Sequence, residues 1–297
     1  MKHESDELAG DEVKSDELKT DEMEEVTYAT ARSATDAAFF DVDGTLLAKP
    51  SLERRFFWEL QRRGKIPARN YLAWLAETLR LGLRDICDLR AAVQTNKSYL
   101  RGVRAEIPFA SSADRGSALP GFFPAAMQRV WWHALRGDAI VLVSGTLAPL
   151  AEIVQFAMER ELLWRGVECK ISLIVTKLEI LNGCWTGRVA GAAVFGEEKA
   201  LAIKELARVQ NISLARCSAY GDSSLDRWML AGVGHAFAVN PTRRLLRIAR
   251  SRGWQILHWT HCAVRTASEQ LAASEQPTVS EQRGLKKSLK LKREAAR

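Results

Sequence analysis

Asp41-Val42-Asp43-Gly44-Thr45 directly follows the apolar run Ala37-Ala38-Phe39-Phe40. A short buried strand that ends in two acids one residue apart, and then turns at a glycine, pushes both carboxylates out of its carboxyl end into one crevice. Carboxylates that close repel each other, so a divalent cation is the natural third party. One acid can then attack a phosphorus atom while the other trades protons with the leaving oxygen and the incoming water. Surface turns and calcium loops use the same residue types. A helix-loop-helix calcium loop, however, needs further oxygen ligands and a Glu at its twelfth position, and Leu46-Leu47-Ala48 follows here instead. The pair reads as the chemistry of an aspartyl-phosphate enzyme.

Three other stretches carry the groups such chemistry needs. Ala139-Ile140-Val141-Leu142-Val143 is a continuous apolar run, as in a strand covered on both faces, and it ends in Ser144-Gly145-Thr146. Cys217-Ser218-Ala219-Tyr220 reads as another strand and ends in Gly221-Asp222-Ser223-Ser224-Leu225-Asp226. Glu197-Glu198-Lys199 opens a helix to about Val209, with acids at its positive end. Strand-end geometry lines Asp41, Ser144 and Asp222 along one edge of a single sheet and brings Lys199 in from the helix start. Ser144, with the main-chain N–H groups of Gly145 and Thr146, can bind phosphoryl oxygens, and Gly145 lets the main chain come close. Lys199 supplies a fixed positive charge that restrains Asp41 and stabilises the phosphoryl group. Asp222 adds a second carboxylate to the cation, and Asp226 can orient a metal-bound water. Each turn alone says little; their order and strand-end placement together carry the reading.

The elements that position these groups alternate. After Ser144-Gly145-Thr146, Pro149 suits the first turn of a helix running to about Trp164. Ile171 to Thr176 follows, then Leu178 to Leu181 and Cys184 to Val189 around Asn182-Gly183, a hairpin signal. His235 to Val239, a helix from about Thr242 to Arg252, and Gln255 to Trp259 complete the series. The prediction is an α/β fold with a doubly wound parallel sheet. From 48 to 123 the alternation stops, and the spacing of Phe56-Phe57-Leu60, Tyr71-Leu72-Leu75-Leu79 and Ile86-Leu89-Val93 is helical. That stretch is expected to be an all-helical cap lying over the crevice as a lid, with the core formed by 37–47 and 124–260.

The chain has 297 residues, 47% hydrophobic, enough for a substantial core. Its charge is uneven: residues 1–36 carry a net −8 and the remainder +15, for a total of +7. Ser5-Asp6-Glu7-Leu8 recurs as Ser15-Asp16-Glu17-Leu18, and with little else to pack, 1–36 is expected to be a solvated, disordered acidic tail. Residues 261–297 form a polar tail ending in the basic run Lys286-Lys287-Ser288-Leu289-Lys290-Leu291-Lys292-Arg293, expected to be disordered as well. A basic cap and tail also suit a weak contact with a membrane or polyanion, with no specific nucleic-acid site. No apolar stretch escapes charges for long enough to span a bilayer, and the amino terminus is acidic, so the expected location is the cytoplasm. Cys87, Cys169, Cys184, Cys217 and Cys262 are odd in number and far apart, which reads as reduced, mostly buried thiols.

On Phe40-Asp41-Val42-Asp43-Gly44-Thr45-Leu46 and Gly221-Asp222-Ser223-Ser224-Leu225-Asp226, the chain resembles the haloacid dehalogenase superfamily, in its phosphoserine phosphatase-like subfamily IB with a helical cap after the first strand. The resemblance spans about Ala37 to Trp259. It implies a Rossmann-like core, magnesium as cofactor, Asp41 as the phosphorylated nucleophile, and Asp43 as acid and base with its main-chain carbonyl on the metal. It likewise implies Ser144 on the phosphate, Lys199 as the third-motif lysine in preference to Lys204 on the same helix, Asp222 as a metal ligand and Asp226 nearby. Gly145-Thr146 stands where the family's phosphoserine enzymes usually have two glycines. Pro50 stands near their substrate-holding cap glutamate, with Glu53 the nearest acid, and Ser223 and Ser224 replace a usual Gly and Ala.

The expected activity is therefore a magnesium-dependent phosphomonoester hydrolase acting on a small phosphorylated metabolite. The alternatives are a phosphotransferase using the same residues, a lipid-phosphate phosphatase, and a non-catalytic protein that binds nucleic acid or membrane.

Overall fold

The computed structural model of the chain describes residues 36–84, 96–105 and 121–260. In chain order these form β1 (Ala37–Phe40), α1 (Leu52–Arg62), α2 (Ala68–Arg84), a 3-10 turn at Ser98–Leu100, α3 (Pro124–Arg136), β2 (Ala139–Leu147), α4 (Ala148–Trp164) and β3 (Ile171–Thr176). There follow β4 (Leu178–Leu181), β5 (Cys184–Val189), α5 (Glu197–Val209), β6 (Ser218–Gly221), α6 (Arg227–Ala231), β7 (His235–Val239), α7 (Arg243–Arg252) and β8 (Gln255–Leu257).

Six strands form one sheet in the order β3-β2-β1-β6-β7-β8, and every neighbouring pair is parallel. Side chains alternate across it. Ala38, Phe40, Ile140, Leu142, Tyr220 and Phe237 join the core shared with α3 and α4. Ala37, Phe39, Val141, Val143, Ala219 and Ala238 join the core with α5, α6 and α7. With both faces covered, the central strand β1 and the first five residues of β2 are unbroken apolar runs. The chain builds from β1 outward through β2 to β3, then crosses back and builds from β6 to β8. The direction reverses between β1 and β6, the point at which a doubly wound sheet places its crevice, at the carboxyl ends of the strands.

An aromatic ladder sets the register at that point. Phe40 of β1 lies opposite Tyr220 of β6, and Tyr220 lies opposite Phe237 of β7. Their rings stack at 4.4 Å and 4.6 Å between centroids, each pair contributing about 0.5–1.5 kcal/mol beyond burial. Asp41 follows Phe40 directly, and its N–H donates to the Tyr220 carbonyl at 2.9 Å. The ladder therefore fixes the level of the first acid against the turn that carries Asp222.

β2 runs further than its apolar pattern predicts, through Ser144-Gly145-Thr146 to Leu147. Its pairing with β3 breaks after Ser144↔Val175 and resumes at Leu147↔Thr176. The Ser-Gly-Thr turn is thus a bulge within a strand, a device that re-aims side chains at a sheet's rim.

The segment between β1 and α3 leaves and rejoins the core at one place: Leu47 and Phe122 form an antiparallel bridge, and the Phe123 N–H donates to the Leu46 carbonyl at 3.0 Å. Ser51 caps α1 by accepting from the Arg54 N–H, and Leu52, Phe56 and Leu60 face inward. Helix α2 confirms the expected helical period but not the face its leucines suggest. Leu72, Leu75, Leu79 and Leu83 are exposed, while Asn70 and Thr78 are buried.

The β4–β5 hairpin, as expected around Asn182-Gly183, is antiparallel and reaches the insert. Gly102 donates to the Trp185 carbonyl at 2.8 Å, Trp185 to the Val103 carbonyl at 2.9 Å, and Ala105 to the Gly183 carbonyl at 3.0 Å. Trp185 is buried edge-on against Phe56, 5.8 Å between ring centroids.

The expectations for 1–35, for Ile86-Leu89-Val93, and for 261–297 with its basic run lie outside the described residues, as do Cys87 and Cys262. Cys169, Cys184 and Cys217 are free thiols, the last buried and the other two half-buried. Among the described residues, no helix is long and apolar enough to cross a membrane.

Candidate active site

Asp41 leaves β1 into the crevice and is 6% exposed. Its Oδ1 accepts from Lys199 Nζ at 2.6 Å, and its Oδ2 takes a long contact of 3.3 Å from the Thr45 hydroxyl. The loop that follows is tight, because the N–H groups of Leu46 and Leu47 both return to the Val42 carbonyl. Gly44 has φ +96, and a Cβ there would lie 2.5 Å from Asp222 Oδ2. A side chain would meet both backbone strain and collision, so glycine alone fits.

Asp43 is clamped from two sides. Its Oδ1 accepts the N–H of Leu52, the first residue of α1, at 2.8 Å, and its Oδ2 accepts from the Thr146 hydroxyl at 2.7 Å. The Thr146 N–H donates to Ser144 Oγ at 3.2 Å. The bulge in β2 thus delivers the Ser-Gly-Thr turn onto the second acid. Gly145 is covered by the ring of Phe195, which would overlap any Cβ at that position.

Lys199, in the first turn of α5, is 3% exposed and bridges two acids. Besides Asp41, its ammonium contacts Asp226 Oδ1 at 2.7 Å. Asp226 Oδ2 in turn accepts from the N–H and hydroxyl of Ser223, at 2.9 Å and 3.0 Å. Both Asp226 oxygens are therefore committed. Asp222 differs: its buried Oδ2 has no hydrogen-bond partner, yet Lys49 Nζ lies 2.5 Å away. That contact is a close ion pair without hydrogen-bond alignment, made by a lysine whose side chain is 59% exposed.

Asp41, Asp222 and Asp226 each present an oxygen within 4.8 Å of the others, and all three are buried. Crowding acids out of water has its usual consequence. Burial pushes the Asp41 carboxyl well above the carboxylate range, with Asp226 and Asp222 adding to the shift and Lys199 opposing it. Burial and Asp226 push Asp222 up to about 6, against the pull of Lys49. Asp43 is raised as well, mainly by burial, while its bonds from Thr146 and Leu52 act the other way. Burial disfavours the Lys199 ammonium, but Asp226 and Asp41 hold its pKa well above the ordinary lysine value.

These residues fit a hard divalent cation on three counts. The donors are all carboxylate oxygens, one of them is a buried oxygen lacking a hydrogen bond, and a lysine ammonium already lies against that oxygen. Asp41 Oδ2 and Asp222 Oδ2 are the weakly committed atoms, and Asp226 supports them from behind through Lys199 and Ser223.

The insert contributes a second charged group beside Asp43. Glu53, in the first turn of α1, is paired with Lys97, and both carboxylate oxygens accept from Nζ, at 2.5 Å and 2.6 Å. The Tyr99 hydroxyl donates to the same carboxylate at 2.9 Å.

All eight residues singled out in the sequence, Asp41, Asp43, Ser144, Gly145, Thr146, Lys199, Asp222 and Asp226, border this crevice. Sequence reasoning missed Lys49, Thr45, Phe195, Lys97 and Tyr99, and it did not anticipate that the Thr146 hydroxyl binds Asp43. Lys49 carried a faint signal as a basic residue eight positions after the first acid. Thr45 lies in the same short loop as Asp41, while Phe195, Lys97 and Tyr99 are brought in by long-range packing.

The haloacid dehalogenase-like hydrolase family matches residues 38–231, from β1 through α6. A probable phosphatase of Mycobacterium tuberculosis is 30% identical over 249 residues, covering 78% of this chain and 78% of its own. A phosphoserine phosphatase of the same organism is 31% identical over 227 residues, covering 75% of this chain and 70% of its own. Among solved structures, a protein of unknown function from Bordetella pertussis Tohama I is similar with a TM-score of 0.56 at 24% identity, over 75% of this chain and 98% of that one, a likeness of fold.

Proposed function

The chain belongs to the haloacid dehalogenase-like hydrolase family and is a phosphatase of the phosphoserine phosphatase-like kind; on that premise we propose that it hydrolyses small phosphate monoesters through a phosphoryl group carried on Asp41. The observation that carries this reading is Lys199, buried between Asp41 and Asp226 with Asp222 beside them, whose Oδ2 is paired with the mostly exposed Lys49. A fixed cation against the nucleophile, and a second position where a divalent cation can replace an exchangeable lysine, are what phosphoryl transfer from a doubly charged ester needs.

Magnesium is the proposed cofactor, held by the carboxylates of Asp41 and Asp222 and the main-chain carbonyl of Asp43. When bound it neutralises phosphoryl charge and orients the ester.

The protein groups do the rest. An Asp41 oxygen forms the bond to phosphorus as the bond to the leaving oxygen breaks, and Asp43 gives that oxygen its proton. Asp43 is suited to carry the proton because burial raises its pKa, while Leu52 and Thr146 hold both its oxygens in place. Water then attacks phosphorus and loses a proton to Asp43, releasing phosphate and restoring Asp41. The Ser144 hydroxyl and the N–H groups of Gly145 and Thr146 bind the phosphoryl oxygens as the charge shifts. Lys199 keeps Asp41 aligned and offsets the repulsion from Asp226. Cytoplasmic residence belongs to the same proposal, supported by the free thiols of Cys169, Cys184 and Cys217.

The test is turnover of a generic aryl phosphate by magnesium-loaded protein, lost in Asp41→Asn with folding intact by circular dichroism. An Asp41→Asn protein as active as the parent, or a parent inert across a broad panel of phosphate esters, overturns the reading.

A further inference from the structure

Lys97 is 1% exposed, and it reaches Glu53 across 44 positions of sequence. The loop that delivers it is rigidly held. Asn96 Oδ1 accepts from the N–H and hydroxyl of Ser98, and Asn96 Nδ2 donates to the Trp74 carbonyl and the Thr78 hydroxyl, both at 2.8 Å. Asn70 Nδ2 donates to the carbonyls of Tyr99 and Arg101, at 3.0 Å and 2.7 Å. On its far side the Lys97 ammonium sits 5.8 Å from the centre of the Phe195 ring, the ring that covers Gly145. Glu53 adjoins Leu52, whose N–H binds Asp43, and the charge of Glu53 is felt at Asp43. The Glu53–Lys97 pair therefore lies near both Asp43, the acid that would protonate the leaving oxygen, and the Phe195 ring over the turn that would hold the phosphate, which puts it where the leaving group would be.

The charge arithmetic there is decisive. A leaving group with an ammonium needs a carboxylate whose charge is not already matched, but the charge of Glu53 is matched by Lys97, which engages both its oxygens and repels a second ammonium beside it. Drawing Glu53 away would strand an ammonium that water cannot reach, a costly outcome. A leaving group whose carboxylate reached this pair would compete with Glu53 for Lys97 and strand the acid beside Asp43. A neutral hydroxyl asks for neither. The Glu53 side chain keeps 22% exposure, and each carboxylate oxygen can accept more than one hydrogen bond. It can therefore receive an O–H while its ion pair stays intact. Tyr99, its pKa pushed well up by burial and by Glu53, stays a neutral donor and holds the carboxylate in place.

Resting on the phosphatase reading above, we infer that Glu53, positioned by Lys97 and Tyr99, recognises neutral hydroxyl groups on the leaving alcohol, so that the substrate is the phosphate monoester of an uncharged polyhydroxy compound and ammonium-bearing esters are rejected.

The discriminating pair is 2-hydroxyethyl phosphate and phosphoethanolamine, which differ only in a terminal hydroxyl or ammonium, assayed on full-length magnesium-loaded protein with an aryl phosphate alongside. The wild type is expected to favour the hydroxyl ester by about tenfold or more in kcat/KM. Lys97→Met frees Glu53 and is expected to shrink that ratio by about tenfold, and adding Glu53→Gln to Lys97→Met is expected to remove the gain for the ammonium ester. Glu53→Gln alone leaves an uncompensated ammonium and is expected to widen the ratio, which supplies a second variant should Lys97→Met not fold. A wild type that prefers phosphoethanolamine or treats the two alike, or variants that slow both esters equally, overturns the inference while leaving aryl phosphate turnover, and so the phosphatase reading, standing. Absence of turnover with all three esters overturns both.

Discussion

Lys49 Nζ lies 2.5 Å from Asp222 Oδ2, the buried oxygen that has no hydrogen bond. Two lysines serve this cluster of acids, and they differ in kind. Lys199 is buried in two ion pairs and cannot leave. Lys49 makes one contact with Asp222 from a mostly exposed, flexible stem, so its position is the exchangeable one. A divalent cation on Asp222 has to displace it. Lys49→Met is accordingly expected to tighten magnesium binding by about three- to tenfold, an amount in line with one partly exposed charge contact. Isothermal titration of the metal-free protein measures this directly. Weaker binding in the variant would show that Lys49 supports the cation instead of competing with it.

Lys199 is a different case, since its loss leaves Asp41 and Asp226 facing each other with nothing between. Lys199→Met is expected to lower kcat by about a thousandfold, the scale of losing one preorganised charge at a phosphoryl centre. Breaking a buried ion pair also destabilises a fold by about 3–5 kcal/mol. Asp41 escapes part of that penalty by taking up a proton, because burial already raises its pKa and Lys199 no longer opposes the shift. A raised folded-state pKa makes the native state the better proton binder, so the variant's deficit grows as pH rises and shrinks in acid. Denaturant melts at about pH 5 and about pH 8 separate this from a simple packing defect, which would be constant across pH.

The native acids obey the same linkage. Asp222 is raised from 3.8 to about 6, and Asp41 and Asp43 are raised too. Between the unfolded and folded values the native state holds more protons, so these groups cost the metal-free protein stability as pH climbs through that window. Magnesium, the proposed cofactor, would bind the ionised forms and reverse the loss. The rise in Tm on adding magnesium is therefore expected to be near zero at about pH 4.5 and to reach about 5 °C or more by about pH 7.5, at roughly a hundredfold excess over Kd. Thermal scans in matched buffers with and without magnesium read it. A shift that is equal at both pH values would mean that the cation binds elsewhere.

What the sequence made legible, and what it hid, follows from where information is stored along the chain. β1 and β6 could be read because a strand buried on both faces is mostly apolar until it emerges, and each emerges at an acid. Helix α2 was legible in type and misleading in face. Its leucines repeat with helical spacing yet point to solvent, whereas Asn70 and Thr78 are buried because they hydrogen-bond the loop from Asn96 to Arg101. Hydrophobic periodicity cannot see a helix face held by polar bonds. Lys97 was silent for the related reason that its partner Glu53 lies 44 residues away. Helix α6 spans five residues, Arg227–Ala231, too few to show a period at all.

Tyr220 tests whether the aromatic ladder supports the site only through structure. Its hydroxyl lies 2.9 Å from His133 Nε2, while His133 Nδ1 lies 2.7 Å from Asp138 Oδ2. Burial lowers the His133 pKa, so the ring is neutral near pH 7, with Nδ1–H donating to the carboxylate and Nε2 accepting from Tyr220. Tyr220→Phe keeps both ring stacks but leaves Nε2 buried without a donor. The expected cost is about 1–3 kcal/mol, the penalty for an unsatisfied buried polar atom, read as a lower midpoint in urea with an unchanged slope. The kcat for an aryl phosphate is expected to stay within about twofold of the parent, since the substitution removes no group that touches the phosphate and the remaining phenyl ring can still stack on Phe40 to hold the register of Asp41. A large fall in kcat without loss of stability would instead make the hydroxyl, two residues before Asp222 along β6, part of the chemistry.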